Sequence, residues 1–118
     1  MYSAAVLDHF QHPRNAGELA NATAVVEVTN PACGDILQLS ARVENGRFVA
    51  VRFKTRGCTT SIACSSLLTE LLAGRTLLEA RQITPAQISD AFGGLPPATF
   101  HGAQLAIDAL ESLLAKLK

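Results

Sequence analysis

Residues 36–53 read Ile36-Leu37-Gln38-Leu39-Ser40-Ala41-Arg42-Val43-Glu44-Asn45-Gly46-Arg47-Phe48-Val49-Ala50-Val51-Arg52-Phe53. Leu37, Leu39, Ala41 and Val43 alternate with mostly polar neighbours, as a half-buried strand requires. Asn45-Gly46 is the dipeptide favoured in a two-residue hairpin, because both residues tolerate the left-handed backbone of that turn. Val49, Val51 and Phe53 then alternate along the returning strand. Upstream, Thr23 to Thr29 is rich in β-branched residues and supplies another strand. The middle of the chain is therefore expected to be a three-stranded antiparallel meander.

Working outward, the character changes after Gly57-Cys58. Ile62, Leu67, Leu68, Leu71 and Leu72 form a broad apolar helical face that stops at Gly74, a residue suited to a helix C-terminus. Thr76 with Glu79, and Thr84 with Gln87, each fit a capping box, and Pro85 occupies a first helical position. Gly93-Gly94-Leu95-Pro96-Pro97 interrupts, and Leu105, Ala106, Ala109, Leu110, Leu113, Leu114 and Leu117 then share one side of a final helix. At the other end, Val6, Leu7 and Phe10 fit a short helix from about Ser3 to Phe10, ended by Pro13-Arg14-Asn15-Ala16-Gly17. Strands followed by helices predict an α+β fold, a three-stranded antiparallel sheet with helices packed on one side.

A chain of 118 residues suffices for one hydrophobic core, so residues 1–118 are read as a single domain. Hydrophobic residues make up 48% and charged ones 17%, without like-charge runs, which excludes a disordered chain. Ten basic residues balance ten acidic ones, removing the broad attraction that a nucleic-acid or anionic-membrane binder uses. Neither a cationic leader with an apolar core nor a bilayer-length apolar span is visible, so a cytoplasmic protein is expected. Three cysteines cannot all pair within one chain, and thiols in that setting stay reduced, which brings metal binding forward.

Asn30-Pro31-Ala32-Cys33-Gly34-Asp35 places a thiol and a carboxylate two residues apart in a loop, around a glycine that permits close backbone approach. Cys58 falls at the start of the long apolar helix, where the helix dipole favours negative charge. His101 opens the last helix after a proline-rich loop. Taken singly, a loop cysteine is often a small packed side chain and a lone histidine a surface residue. Together, Cys33, Asp35, Cys58 and His101 all occupy loops or element ends and could converge at one end of the sheet. Two sulfurs, one nitrogen and one oxygen suit tetrahedral zinc, and thiolates with mixed ligation also hold iron-sulfur clusters.

Several segments then fall in a familiar order: Tyr2-Ser3, Asp8-His9-Phe10 and Pro13-Arg14-Asn15-Ala16-Gly17; Asn30 to Asp35; Phe53-Lys54-Thr55-Arg56-Gly57-Cys58; and Ile62-Ala63 with Ser65-Ser66. From Tyr2 to about its end the chain resembles the NifU/IscU family of iron-sulfur scaffold proteins. The resemblance implies a scaffold or carrier that is not an enzyme. Such a protein receives sulfur from a cysteine desulfurase and iron from a donor, then passes a cluster to recipient apoproteins. Cys33, Asp35, Cys58 and His101 carry over as ligands for a transient iron-sulfur cluster, expected as 2Fe-2S, or for zinc.

Two departures accompany the resemblance. Gly102 stands where the family has a cysteine after the histidine, a thiol that serves there as ligand and sulfur acceptor. Leu95-Pro96-Pro97-Ala98-Thr99 keeps the start of a chaperone-recognised loop without its valine and lysine, which weakens the expectation of chaperone docking. The alternative is a degenerate paralogue acting as a desulfurase-binding regulator. A zinc-dependent sulfurtransferase is disfavoured, because the missing thiol is the usual acceptor. Cys64 takes a position usually held by serine. Six helical residues beyond Cys58 it is rotated by about 240° net, so it is expected on another face as a buried small side chain.

Overall fold

The computed structural model describes residues 2–31 and 34–117. Helix α1 (Ala4–Gln11) leads to strands β1 (Ala24–Thr29), β2 (Ile36–Glu44) and β3 (Arg47–Arg56), and then to helices α2 (Thr59–Leu72), α3 (Leu77–Ala80), α4 (Pro85–Ala91) and α5 (His101–Lys116). The strands form one antiparallel sheet in the order β1-β2-β3. The predicted meander and α+β class are both present.

The β2–β3 hairpin closes where the sequence placed it. Glu44 pairs with Arg47, and Asn45 and Gly46 take φ values of 54° and 75°, the two positive angles of a hairpin turn matched to sheet twist. One detail differs from the expectation. Ladder partners run Arg42 to Ala50 and then Val43 to Phe48, so Val49 is an extra residue in β3. This bulge resets the alternation. Phe48 is fully buried, Val51 and Phe53 are buried beyond it, and Val49 is turned out at 46% exposure.

Leu37, Leu39 and Ala41 of β2 carry the core face of the sheet, and α2 and α5 cover that face. Helix α5 buries Leu105, Ala106, Ala109, Leu110, Leu113 and Leu114, as its periodicity required. Helix α2 is buried on nearly every side because α1 packs on its outer face. Most of its buried hydroxyls are hydrogen-bonded, Ser65 to the Ser61 carbonyl at 2.8 Å and Thr69 to the Ser66 carbonyl at 2.7 Å, whereas the buried Thr60 hydroxyl has no partner among the described residues. Both predicted capping boxes form, at Thr76 with Glu79 and at Thr84 with Gln87. Cys64 is fully buried within this layer, and burial pushes its thiol up to about 12.

The segment after α1 is more than a helix stop. Gly17 donates to the Phe53 carbonyl at 2.8 Å and Phe53 donates to that of Asn15 at 3.0 Å, so residues 15–17 line the outer edge of β3. No described helix is long and apolar enough to cross a membrane.

Candidate metal centre

Three chain segments deliver side chains to one end of the sheet. Asp35 immediately precedes β2, Gly57 and Cys58 link β3 to α2, and His101 is the first residue of α5. The β2–β3 register sets Ile36 opposite Arg56, which brings Asp35 beside Gly57. A β-carbon at Gly57 would lie 2.6 Å from the carboxyl carbon of Asp35, so only glycine lets that carboxylate lie across the junction. The Asp35 loop is held by Asn30, which donates to the Asp35 carbonyl at 2.8 Å, and by Gly34, which donates to that of Asn30 at 2.7 Å.

Asp35 is buried at 7% exposure, while Cys58 and His101 are half-buried. Their ligand atoms all lie within 4.8 Å of one another. Sγ of Cys58 is 3.6 Å from Nε2 of His101, and that nitrogen is 3.7 Å from Oδ2 of Asp35. On its other side, His101 Nδ1 lies 3.1 Å from the Ala98 carbonyl, an atom that can only accept. With a proton on Nδ1 donated to that carbonyl, the Nε2 lone pair faces Cys58 and Asp35. Such an outer hydrogen bond orients a metal-binding imidazole.

The donor set fits a small metal ion. Around a tetrahedral ion with donors at about 2.0 and 2.3 Å, a nitrogen and a sulfur are separated by about 3.5 Å, and a nitrogen and an oxygen by about 3.3 Å. The sulfur–nitrogen separation of 3.6 Å is close to this, and the nitrogen–oxygen separation of 3.7 Å would have to close by a few tenths of an ångström.

Of the four residues expected at the site, the structure brings together Asp35, Cys58 and His101. Cys33 lies outside the described residues. Two contributors were not foreseen. Ser61, in the first turn of α2, donates its hydroxyl to Oδ2 of Asp35 and approaches Sγ of Cys58 at 3.3 Å. Gly102 is buried, and a β-carbon there would meet Thr60 Cγ2 at 3.1 Å and the Ser61 nitrogen at 3.2 Å. The absent side chain thus lets the start of α5 lie close on the start of α2. The position of Ser61, three residues after the helix N-cap, is the one whose side chain reaches back to a helix start, and this is the signal that marks it.

Fold and site together define a small α+β protein presenting mixed sulfur, nitrogen and oxygen donors at one end of its sheet. The chain belongs to the family of the NifU-like N terminal domain, whose match spans residues 1–118. It is 44% identical over 110 residues to the iron-sulfur cluster assembly scaffold protein IscU 1 of Archaeoglobus fulgidus, covering 93% of this chain and 72% of that protein. It is 42% identical over 121 residues to the iron-sulfur cluster assembly scaffold protein IscU of Haemophilus influenzae, covering 99% of this chain and 95% of that one. The crystal structure of a NifU-like protein (N-terminal) from Brucella abortus superposes with a TM-score of 0.80 at 18% identity, over 97% of this chain and 92% of the other. That likeness concerns the fold.

Proposed function

We propose that the chain, as a single domain over residues 1–118, is a scaffold or carrier in iron-sulfur cluster assembly. The cargo is a transient 2Fe-2S cluster, with zinc as the alternative occupant, held by Cys33, Asp35, Cys58 and His101. The observation that supports this is the apposition of Cys58 Sγ, His101 Nε2 and Asp35 Oδ2, all within 4.8 Å of one another and close to the separations of ligands on one metal. The thiolates would supply the strong bonds to the cargo, while the imidazole and carboxylate are the weaker ones that let it leave. Sulfur would come from a cysteine desulfurase and the cluster would go to recipient apoproteins. The chain itself turns over no substrate. Ligands that must stay reduced suit a cytoplasmic setting.

The test is metal and acid-labile sulfide analysis, with a visible spectrum, after anaerobic incubation with iron, cysteine and a cysteine desulfurase. A stoichiometric, coloured, sulfide-containing product that is lost in Cys33→Ala and Cys58→Ala is expected. One specific observation favours a second reading: Gly102 supplies no third thiol. A chain that binds the desulfurase and takes up zinc but never sulfide would be a desulfurase-binding regulator instead.

A further inference from the structure

Ser61 is fully buried, yet it sits where three element starts meet. Its hydroxyl donates to Oδ2 of Asp35, ahead of β2, and lies 3.3 Å from Sγ of Cys58, the N-cap of α2. Cys58 makes no capping bond of its own to the helix, so this contact is what fixes its sulfur on the α2 side. The Ser61 backbone is itself tied down. Its carbonyl accepts from Ser65 at 2.8 Å, and Ser65 in turn accepts from the Thr55 hydroxyl at 2.9 Å, a residue of β3. On the remaining side, the glycine at 102 leaves the Ser61 amide nitrogen close to α5.

We infer that Ser61 is a positioning residue of the metal centre: one buried hydroxyl bridges Cys58 and Asp35 and holds thiol and carboxylate of different elements turned toward His101 Nε2. Without it, Asp35 and Cys58 keep their places in the chain but not a shared side-chain orientation. Metal capture must then order two side chains at once. Outer hydrogen-bond partners of this kind typically change metal affinity by about 10- to 100-fold. The inference rests on the proposed site, of which it names a further member.

Cobalt(II), which shows sulfur ligation by its charge-transfer absorption, is titrated into the wild type, Ser61→Ala, Asp35→Ala and the double variant. Ser61→Ala is expected to weaken cobalt binding about tenfold while keeping the thiolate band, and to weaken it far less when Asp35 is already alanine. Ser66→Ala, which removes a buried hydroxyl of the same helix that bonds His9 and Arg14 and no ligand, serves as the packing control and is expected to have the same small effect with and without Asp35. Circular dichroism of each variant checks that α2 is intact. Equal losses from Ser61→Ala in both backgrounds, or none in either, would overturn the inference while the wild-type thiolate band preserved the site. A wild type with no thiolate band would overturn the proposed site and the inference with it.

Discussion

Nε2 of His101 stands 3.6 Å from Sγ of Cys58, although the two residues are 43 positions apart in the chain. The contact exists because α5 begins where α2 begins, and both begin at the end of the sheet where Asp35 enters β2. Each piece of local geometry around this pair can be perturbed separately.

Gly57 is the first. A methyl group there would occupy the space of the Asp35 carboxyl group, 2.6 Å from its carbon and under 3 Å from both oxygens. Gly57→Ala is expected to turn Asp35 away, weakening zinc binding by about tenfold or more and costing about 1–3 kcal/mol of stability through overpacking. A zinc competition titration and a thermal melt measure the two effects. Unchanged affinity would show that Asp35 does not contribute to the metal site.

Gly102 tests the missing thiol. Any β-carbon at 102 crowds Thr60 and Ser61. Gly102→Cys and Gly102→Ala are both expected to lose about 1 kcal/mol, or about 4 °C of Tm for a chain of this size. Only the cysteine variant should recover more sulfide-containing cluster than the wild type in the reconstitution assay. Equal recovery by all three proteins would mean that a third thiol adds nothing here.

A pH dependence follows from a buried histidine away from the metal centre. His9 joins α1 to α2, with Nδ1 2.8 Å from the Ser66 hydroxyl and Nε2 3.4 Å from Glu70, and its ring meets Phe92 edge-on. Burial, with the nearby Arg14 guanidinium, holds its pKa below the usual 6.5, against the opposing pull of Glu70 and Asp8. The folded state therefore favours the neutral ring. Its contribution is fully present above about pH 6.5 and is lost as the pH falls below that value. Thermal melts between pH 7.5 and 5 should show Tm falling through this window, with a smaller fall in His9→Gln. Parallel falls in both proteins would remove His9 as the cause.

Much of this fold is written in short-range signals. The Asn45-Gly46 turn, the Thr76 and Thr84 capping boxes and the apolar stripe of α5 each depend on neighbours within a few residues, and each appears as the sequence predicts. Val49 did not, because one extra residue in β3 inverts the alternation and the bulge is defined only against its partner strand. The pairing of residues 15–17 with Phe53 escaped for the same reason, being a contact across the fold. At the candidate site, Asp35, Cys58 and His101 could be picked out from their chemistry and their places at element ends. Their convergence, the bridging hydroxyl of Ser61 and the space left by Gly57 and Gly102 depend on how β2, α2 and α5 meet, which no local pattern encodes.

Asp35, Cys58 and His101, completed by Cys33, are proposed to bind one metal. X-ray absorption at the zinc edge of the zinc-loaded chain tests it most directly. Two sulfurs at about 2.3 Å with nitrogen and oxygen at about 2.0 Å are expected, falling to one sulfur in Cys33→Ala or Cys58→Ala. A shell of nitrogen and oxygen alone would contradict it.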